Sequence, residues 1–214
     1  MKKILVTGFD PFGGEAINPA LESVKQLPDE ILGVQILKRE IPTVFDRSIE
    51  TLYGILKEEQ PDVVICVGQA GGRPNITVER VAINQDDARI PDNDGKQPID
   101  RTIFEDGPAA YFTTLPLKAM VREMKESGIP AAVSNTAGTF VCNHIMYGAL
   151  HYAALHQPTL KAGFVHIPYL PMQTVDKPTM PSMSRDEIVK GLTSLIKTAI
   201  QVEEDVKETG GAVC

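Results

Sequence analysis

Short apolar runs alternate with longer amphipathic segments along this chain, and the alternation sets the fold expectation. Residues 4–9 (ILVTGF) are an apolar run closed by Pro11 and Gly13, which predicts a buried strand. Residues 19–27 read as a helix, with Asn18 at the N-cap and Pro19 at the first helical position, where a missing N–H costs nothing. Residues 34–41 alternate weakly and predict a strand, and 45–59 carry Ile49, Leu52, Ile55 and Leu56 at helical spacing. The run 63–67 (VVICV) is rich in β-branched residues, as expected of a strand covered on both faces.

The second half repeats the pattern. Residues 76–83 predict a strand, 86–101 a long polar loop with Pro91, Gly95 and Pro98, and 115–127 a helix stopped at Gly128. A strand at 131–134, a helix at 143–156 and a strand at 162–167 follow. Residues 184–206 predict a closing helix, with Ser184 and Glu187 as a capping box. Strand and helix alternate with short connections, so the expected fold is a three-layer α/β/α sandwich around a mostly parallel sheet.

Length adds that 214 residues suffice for one well-buried core, so a single domain over 1–214 is expected, its charged and then glycine-rich end (208–214) frayed. A net charge of -7 argues against a nucleic-acid or anionic-membrane surface. Three cysteines do not make a disulfide framework, the N-terminal apolar run is too short for a signal peptide, and no stretch approaches the roughly 20 apolar residues of a membrane span. The expected setting is the cytoplasm.

Open α/β sheets hold ligands at the C-terminal ends of their strands. Four segments are expected there: 7–14 (TGFDPFGG), 68–73 (GQAGGR), 135–142 (NTAGTFVC) and 166–168 (HIP). The glycines do not make a nucleotide site. Gly8 lacks the following Gly-x-Gly spacing, and after Gly13 a phosphate loop requires Lys where Gly14 and Glu15 stand. Phe9 and Phe12 read either as core aromatics or as walls of an apolar slot for a flat ligand.

Chemistry points to Cys142, which falls at the start of the helix predicted after it, where the positive end of the helix favours a thiolate. Cys66 lies inside an apolar strand and Cys214 is the last residue. A cysteine nucleophile needs a base and a group that orients the base. His144 would point away from Cys142 on the same helix, and His151 and His156 lie far along it; His166, at a strand end, is favoured. Physics leaves the acid open. Glu79 faces apolar neighbours and needs a partner, but Asp10, Asp86, Asp87 and Asp92 compete. No zinc spacing occurs, so neither metal nor cofactor is expected.

Six ordered motifs make the chain resemble the pyroglutamyl peptidase I family of cysteine exopeptidases: 5–14 (LVTGFDPFGG), 67–72 (VGQAGG), 76–84 (ITVERVAIN), 87–93 (DARIPDN), 134–144 (SNTAGTFVCNH) and 165–168 (VHIP). The resemblance implies a Glu79, Cys142 and His166 triad, and Arg89 beside the reacting carbonyl. It implies slot walls from Phe9, Phe12, Thr43, Ile90, Phe140 and Val141, and a lactam held by Asn18 and the backbone of Gln69. It also implies peptides with an N-terminal pyroglutamate as substrates and a homotetramer or homodimer as the assembly. Two other classes are weighed against it: a phosphate-dependent α/β enzyme such as a nucleoside phosphorylase, and a non-catalytic binder of pyroglutamyl ligands.

Overall fold

Buried residues in unbroken succession, with another strand on either side, make Val63–Gln69 the centre of the sheet. In the computed structural model, which describes residues 2–211, the elements follow in chain order as β1 (Lys3–Phe9), α1 (Pro19–Lys25), β2 (Glu30–Ile31), β3 (Val34–Ile41), α2 (Arg47–Glu59) and β4 (Val63–Gln69). Then come β5 (Ile76–Glu79), β6 (Val81–Ile83), β7 (Ala110–Phe112), α3 (Leu117–Glu126), β8 (Ala131–Ser134), α4 (Val141–His156), β9 (Lys161–Ile167) and α5 (Arg185–Gln201). The seven-stranded sheet has the order β2-β3-β1-β4-β9-β5-β8, and β6 and β7 form a separate two-stranded ribbon.

Successive side chains of a strand point to opposite faces, so each face of the sheet gathers alternate residues. Ile4, Val6, Ile65 and Val67 pack with α1, α3 and α5, whereas Leu5, Val64, Cys66 and Phe164 pack with α2 and α4. The three-layer architecture is therefore the expected one. Each fully buried Val, Leu or Ile contributes roughly 1.5–3 kcal/mol relative to exposure, which makes these two cores the main stabilising term.

The sheet is mixed in a way that matters for the site. Strands β1, β3, β4 and β9 are mutually parallel, while β5 and β8 run against them, with Thr77 opposite His166. Segments 7–14, 68–73 and 166–168 follow the C-terminal ends of parallel strands as expected. Segment 135–142 follows β8, whose end points the other way, and the loop 135–140 brings the chain back to start α4 against β4.

Three local expectations are corrected. The strand expected at 76–83 is two strands in two sheets, broken at Arg80, whose N–H donates to Ser134 O on β8 and whose carbonyl accepts from Thr113 N. Its partner in the ribbon, β7, carries no strong periodic signal in three residues. Helix α2 starts at Arg47 and not 45, because the preceding Phe45 N–H is held by Asp92 and Asp46 adopts φ 64°. Helix α5 ends at Gln201, and the following segment turns so that Asp205 accepts from the N–H groups of Lys118 and Ala119 at the start of α3. The frayed end expected at 208–214 lies partly outside the described residues; within them, Glu208 pairs with Arg122 and Gly210 O accepts from Arg80.

Candidate active site

Helix α4 is buried on nearly all sides and must be anchored at its start without a side-chain cap, because Phe140 occupies the N-cap position. Asn143 does the anchoring. Its Oδ1 accepts from Ile83 N at 2.9 Å, and its Nδ2 donates to Ile83 O and Gln85 O at 2.9 and 3.0 Å. This leaves the first-turn N–H groups of α4 without a capping side chain, with Cys142 as the second helical residue.

The seat of the Cys142 thiol is made by a missing side chain. A Cβ built on Gly68 would lie 3.1 Å from Cys142 Sγ and 2.6 Å from Phe164 Cζ, so the thiol rests directly over the β4 backbone. Gly68 is the register partner of His166 on β9, which places the imidazole beside the same glycine. Cys142 and His166 line one cleft of about 590 Å³.

Behind His166 stands Glu79, with no exposed surface. Its Oε1 accepts from His166 Nδ1 at 2.7 Å and from Arg73 Nη1 at 2.6 Å. Burial, the largest influence, raises the Glu79 pKa, but the hydrogen bond and charge of His166 and the charge of Arg73 outweigh it and leave the carboxyl below its usual range. An ionised Glu79 requires the proton on His166 Nδ1, so Nε2 faces the cleft as an acceptor. The thiol behaves differently from the cheap thiolate expected of a helix start. Burial, and then the Glu79 charge, push Cys142 up to about 12, against the opposing pull of Arg73 and its own N–H. The pocket thus holds a neutral thiol beside the imidazole of His166.

The competing acids and bases are occupied elsewhere. Asp10 accepts from Thr43 N, and Asp92 from Phe45 N, Asp94 N and Lys96 N. Asp86 is fully buried against His144 Nδ1 at 3.0 Å and against Arg101, while His144 Nε2 accepts from Asp46 N. Both nitrogens of His144 are engaged, so it is no base for Cys142. Instead this buried network fastens the loop after β6 to the starts of α2 and α4. Asp87 is exposed and lines the cleft.

The remaining expected residues divide into two groups. Phe12, Gln69, Arg89, Ile90 and Phe140 line the cleft with Cys142 and His166. Phe9, Asn18, Thr43 and Val141 are buried behind its wall, Phe9 with its ring 6.3 Å from that of Phe164. Asn18 serves as the cap of α1, with Oδ1 accepting from Ala20 N and Nδ2 donating to Asp10 O, which leaves one amide hydrogen free. Sequence reasoning missed Arg73 and Tyr169, which also line the cleft. The signal for Arg73 was present in the need of a buried Glu79 for a cation, but the pairing crosses a loop and has no fixed spacing. Among the described residues no group of three or more His, Cys, Asp or Glu could hold a metal ion.

A family model described as pyroglutamyl peptidase matches residues 2–202. The chain is 61% identical to the pyrrolidone-carboxylate peptidase of Alkaliphilus oremlandii over 212 residues, covering 99% of this chain and all of that one. It is 59% identical to the enzyme of the same name from Clostridium perfringens, with the same coverage. Among solved structures it is similar to pyroglutamyl peptidase I from Bacillus amyloliquefaciens, with a TM-score of 0.95 and 54% identity over 98% of this chain and 99% of the other. A variant pyrrolidone carboxyl peptidase from Pyrococcus furiosus matches with a TM-score of 0.90 and 43% identity over 93% and 98%.

Proposed function

We propose that this chain, which belongs to the pyroglutamyl peptidase family and removes N-terminal pyroglutamate from peptides, does so with Cys142 as nucleophile, His166 as base and Glu79 as orienting acid. The observation that carries the assignment is the line of contacts from Glu79 Oε1 to His166 Nδ1 at 2.7 Å, with the imidazole and the Cys142 thiol sharing one cleft over Gly68.

A neutral thiol sets the order of events. His166 Nε2 takes the Cys142 proton as sulfur attacks the pyroglutamyl carbonyl, so the charge separation arises in the transition state and not before substrate arrives. Uncapped N–H groups at the start of α4 receive the developing oxyanion. The imidazolium, stabilised by Glu79, then protonates the leaving amine. Water hydrolyses the thioester, with His166 again as base. Arg89, which makes no ion pair among the described residues, lines the cleft, and we assign it to the reacting carbonyl.

A pyroglutamyl group is a small, nearly flat lactam with one N–H and one C=O. Phe12, Ile90 and Phe140 supply apolar walls for it, and Gln69 supplies a polar contact, while Asn18, implied by the resemblance, stays behind the wall as the cap of α1. Sites that hydrogen-bond a ligand group reject analogues lacking it by roughly 10⁴–10⁵. Prolyl amides, which carry a charged nitrogen and no lactam carbonyl, are therefore expected to be turned over about 10⁴-fold less well. The reading further takes the chain as one catalytic domain acting in the cytoplasm as a homodimer or homotetramer, which light scattering of the purified protein would test.

The decisive experiment is hydrolysis of a pyroglutamyl aromatic amide before and after stoichiometric iodoacetamide, with the labelled residue mapped. Activity lost as Cys142 alone is labelled is the expected result. Hydrolysis retained in Cys142→Ala, or equal turnover of prolyl and pyroglutamyl amides, overturns the reading.

A further inference from the structure

Arg73 is placed where no helix or strand requires it, in the turn between β4 and β5, yet its guanidinium reaches three groups. Nη1 donates to Glu79 Oε1 at 2.6 Å and to Thr77 Oγ1 at 2.5 Å, and Nη2 donates to Thr136 O at 3.2 Å. The oxygen it takes on Glu79 is the one that accepts from His166 Nδ1. The other carboxylate oxygen, Oε2, is buried and accepts from no protein donor among the described residues. The guanidinium also lines the cleft occupied by Cys142 and His166.

We propose that Arg73 is a positioning residue of the reaction, which sets how much of the Glu79 charge reaches His166 and ties the acid to the loop that delivers Cys142. The inference rests on the triad assigned above. Two cations on one carboxylate oxygen compete. An arginine there cancels part of the carboxylate field that reaches the imidazole. The second arm of the fork fixes the carbonyl of Thr136, in the loop 135–140 immediately before α4. One planar group thus sets both the electrostatics of the base and the seat of the nucleophile. A lysine supplies the charge but not the fork.

The charged and titratable groups facing Glu79 and His166 are few. They are Arg73 from the turn after β4 and Cys142 from α4; Cys66 of β4, a thiol that burial pushes up to about 12, acts on Cys142 and not on this pair. Arg89, Asp87 and Tyr169 line the same cleft. A change in the pH profile on altering Arg73 therefore reads the Glu79–His166 pair.

The test is the pH dependence of kcat/KM for a pyroglutamyl aromatic amide in Arg73→Met, Arg73→Lys and the double variant Arg73→Met/Glu79→Gln. In Arg73→Met the full Glu79 charge falls on the imidazole, so the acid limb should move up by about one pH unit, the scale of a nearby unit charge. kcat should fall more than KM rises. Arg73→Lys should keep the limb in place and lose part of kcat through the unfastened 135–140 loop. In the double variant the limb should lie below that of Arg73→Met, because the carboxylate charge is gone. Arg73→Gln reads the same shift should the methionine variant not fold. An acid limb that stays in place in Arg73→Met or Arg73→Gln overturns the role of Arg73, as does an effect confined to KM. Cys142→Ala, assayed in parallel, separates the two readings: if it retains hydrolysis the triad fails, and if it is dead while the limb is unmoved only the role of Arg73 fails.

Discussion

Gly68 shows how a single residue decides whether two reactive groups can meet. The β4 backbone must let Phe164 and the Cys142 sulfur lie against it, and a Cβ at this position, 2.6 and 3.1 Å from them, leaves no room for a methyl group. Gly68→Ala is expected to displace the buried Phe164 ring and lift the thiol, and a misplacement near 1 Å costs roughly 10²-fold in rate. Steady-state kinetics with a folded-state check by circular dichroism would measure it. Glu79 acts at one remove. Glu79→Gln keeps the shape but loses the charge that stabilises the imidazolium, so kcat should fall by roughly 10²–10⁴, less than the near-complete loss in Cys142→Ala. Equal losses in the two variants would contradict a merely orienting role for Glu79.

Elements matter here through their ends. Helix α4 offers its first turn to the cleft because Asn143 is tied to Ile83 and Gln85, and because Gly148 lets α2 approach closely through Ile49. The loop after β6, which carries Arg89 and Ile90, is fastened by the buried His144–Asp86–Arg101 network. Removing one partner of a buried charged network costs about 3–5 kcal/mol. Asp86→Ala should therefore lower the melting temperature by roughly 6–20 °C, taking about 2–4 °C per kcal/mol for a chain of this size. It should also raise KM as the cleft wall loosens. Ser184→Ala is the contrast. It removes the side chain that accepts from Glu187 N at the start of α5, outside the cleft lining, and should cost about 1 kcal/mol with kcat and KM unchanged. Differential scanning calorimetry beside kinetics distinguishes the two variants.

At the scale of the whole molecule, the Glu79 carboxylate that the proposed mechanism uses also couples stability to pH. Its folded pKa lies below the reference value of 4.5, so its stabilising contribution is fully present above that value and disappears as pH falls through the folded one. Denaturant midpoints measured from about pH 7 down to about pH 3 should drop in the acid range, and Glu79→Gln should flatten that drop while lowering stability at neutral pH. A slope unchanged by the substitution would assign acid unfolding to other carboxylates. Glu15 and Asp46 are also held below their usual range, Glu15 chiefly by Lys177 and Asp46 by Arg101 and Lys96 against the opposing effect of burial. Both are more exposed than Glu79, and solvent screening reduces their share.

Alternation of apolar runs and amphipathic segments determined the three-layer α/β architecture and most of its elements, because burial on one face or two is written in periodicity. The positions of Cys142 and His166 were legible for the same reason: each follows from where a strand or helix must begin or end. The sequence by itself left the acid open, and the motif resemblance pointed to Glu79. Tertiary structure alone shows the antiparallel course of β5 and β8, the break at Arg80 and the convergence of Arg73 and His166 on one oxygen. It also reverses the expected ease of ionising Cys142. A helix start favours a thiolate locally, but burial and the field of a carboxylate 63 residues away in the chain are set by packing, and they prevail. Periodicity records which side chains turn inward. Which of them then share a cleft, and whose charge reaches whom, depends on strand order and on contacts between distant residues that no local pattern specifies.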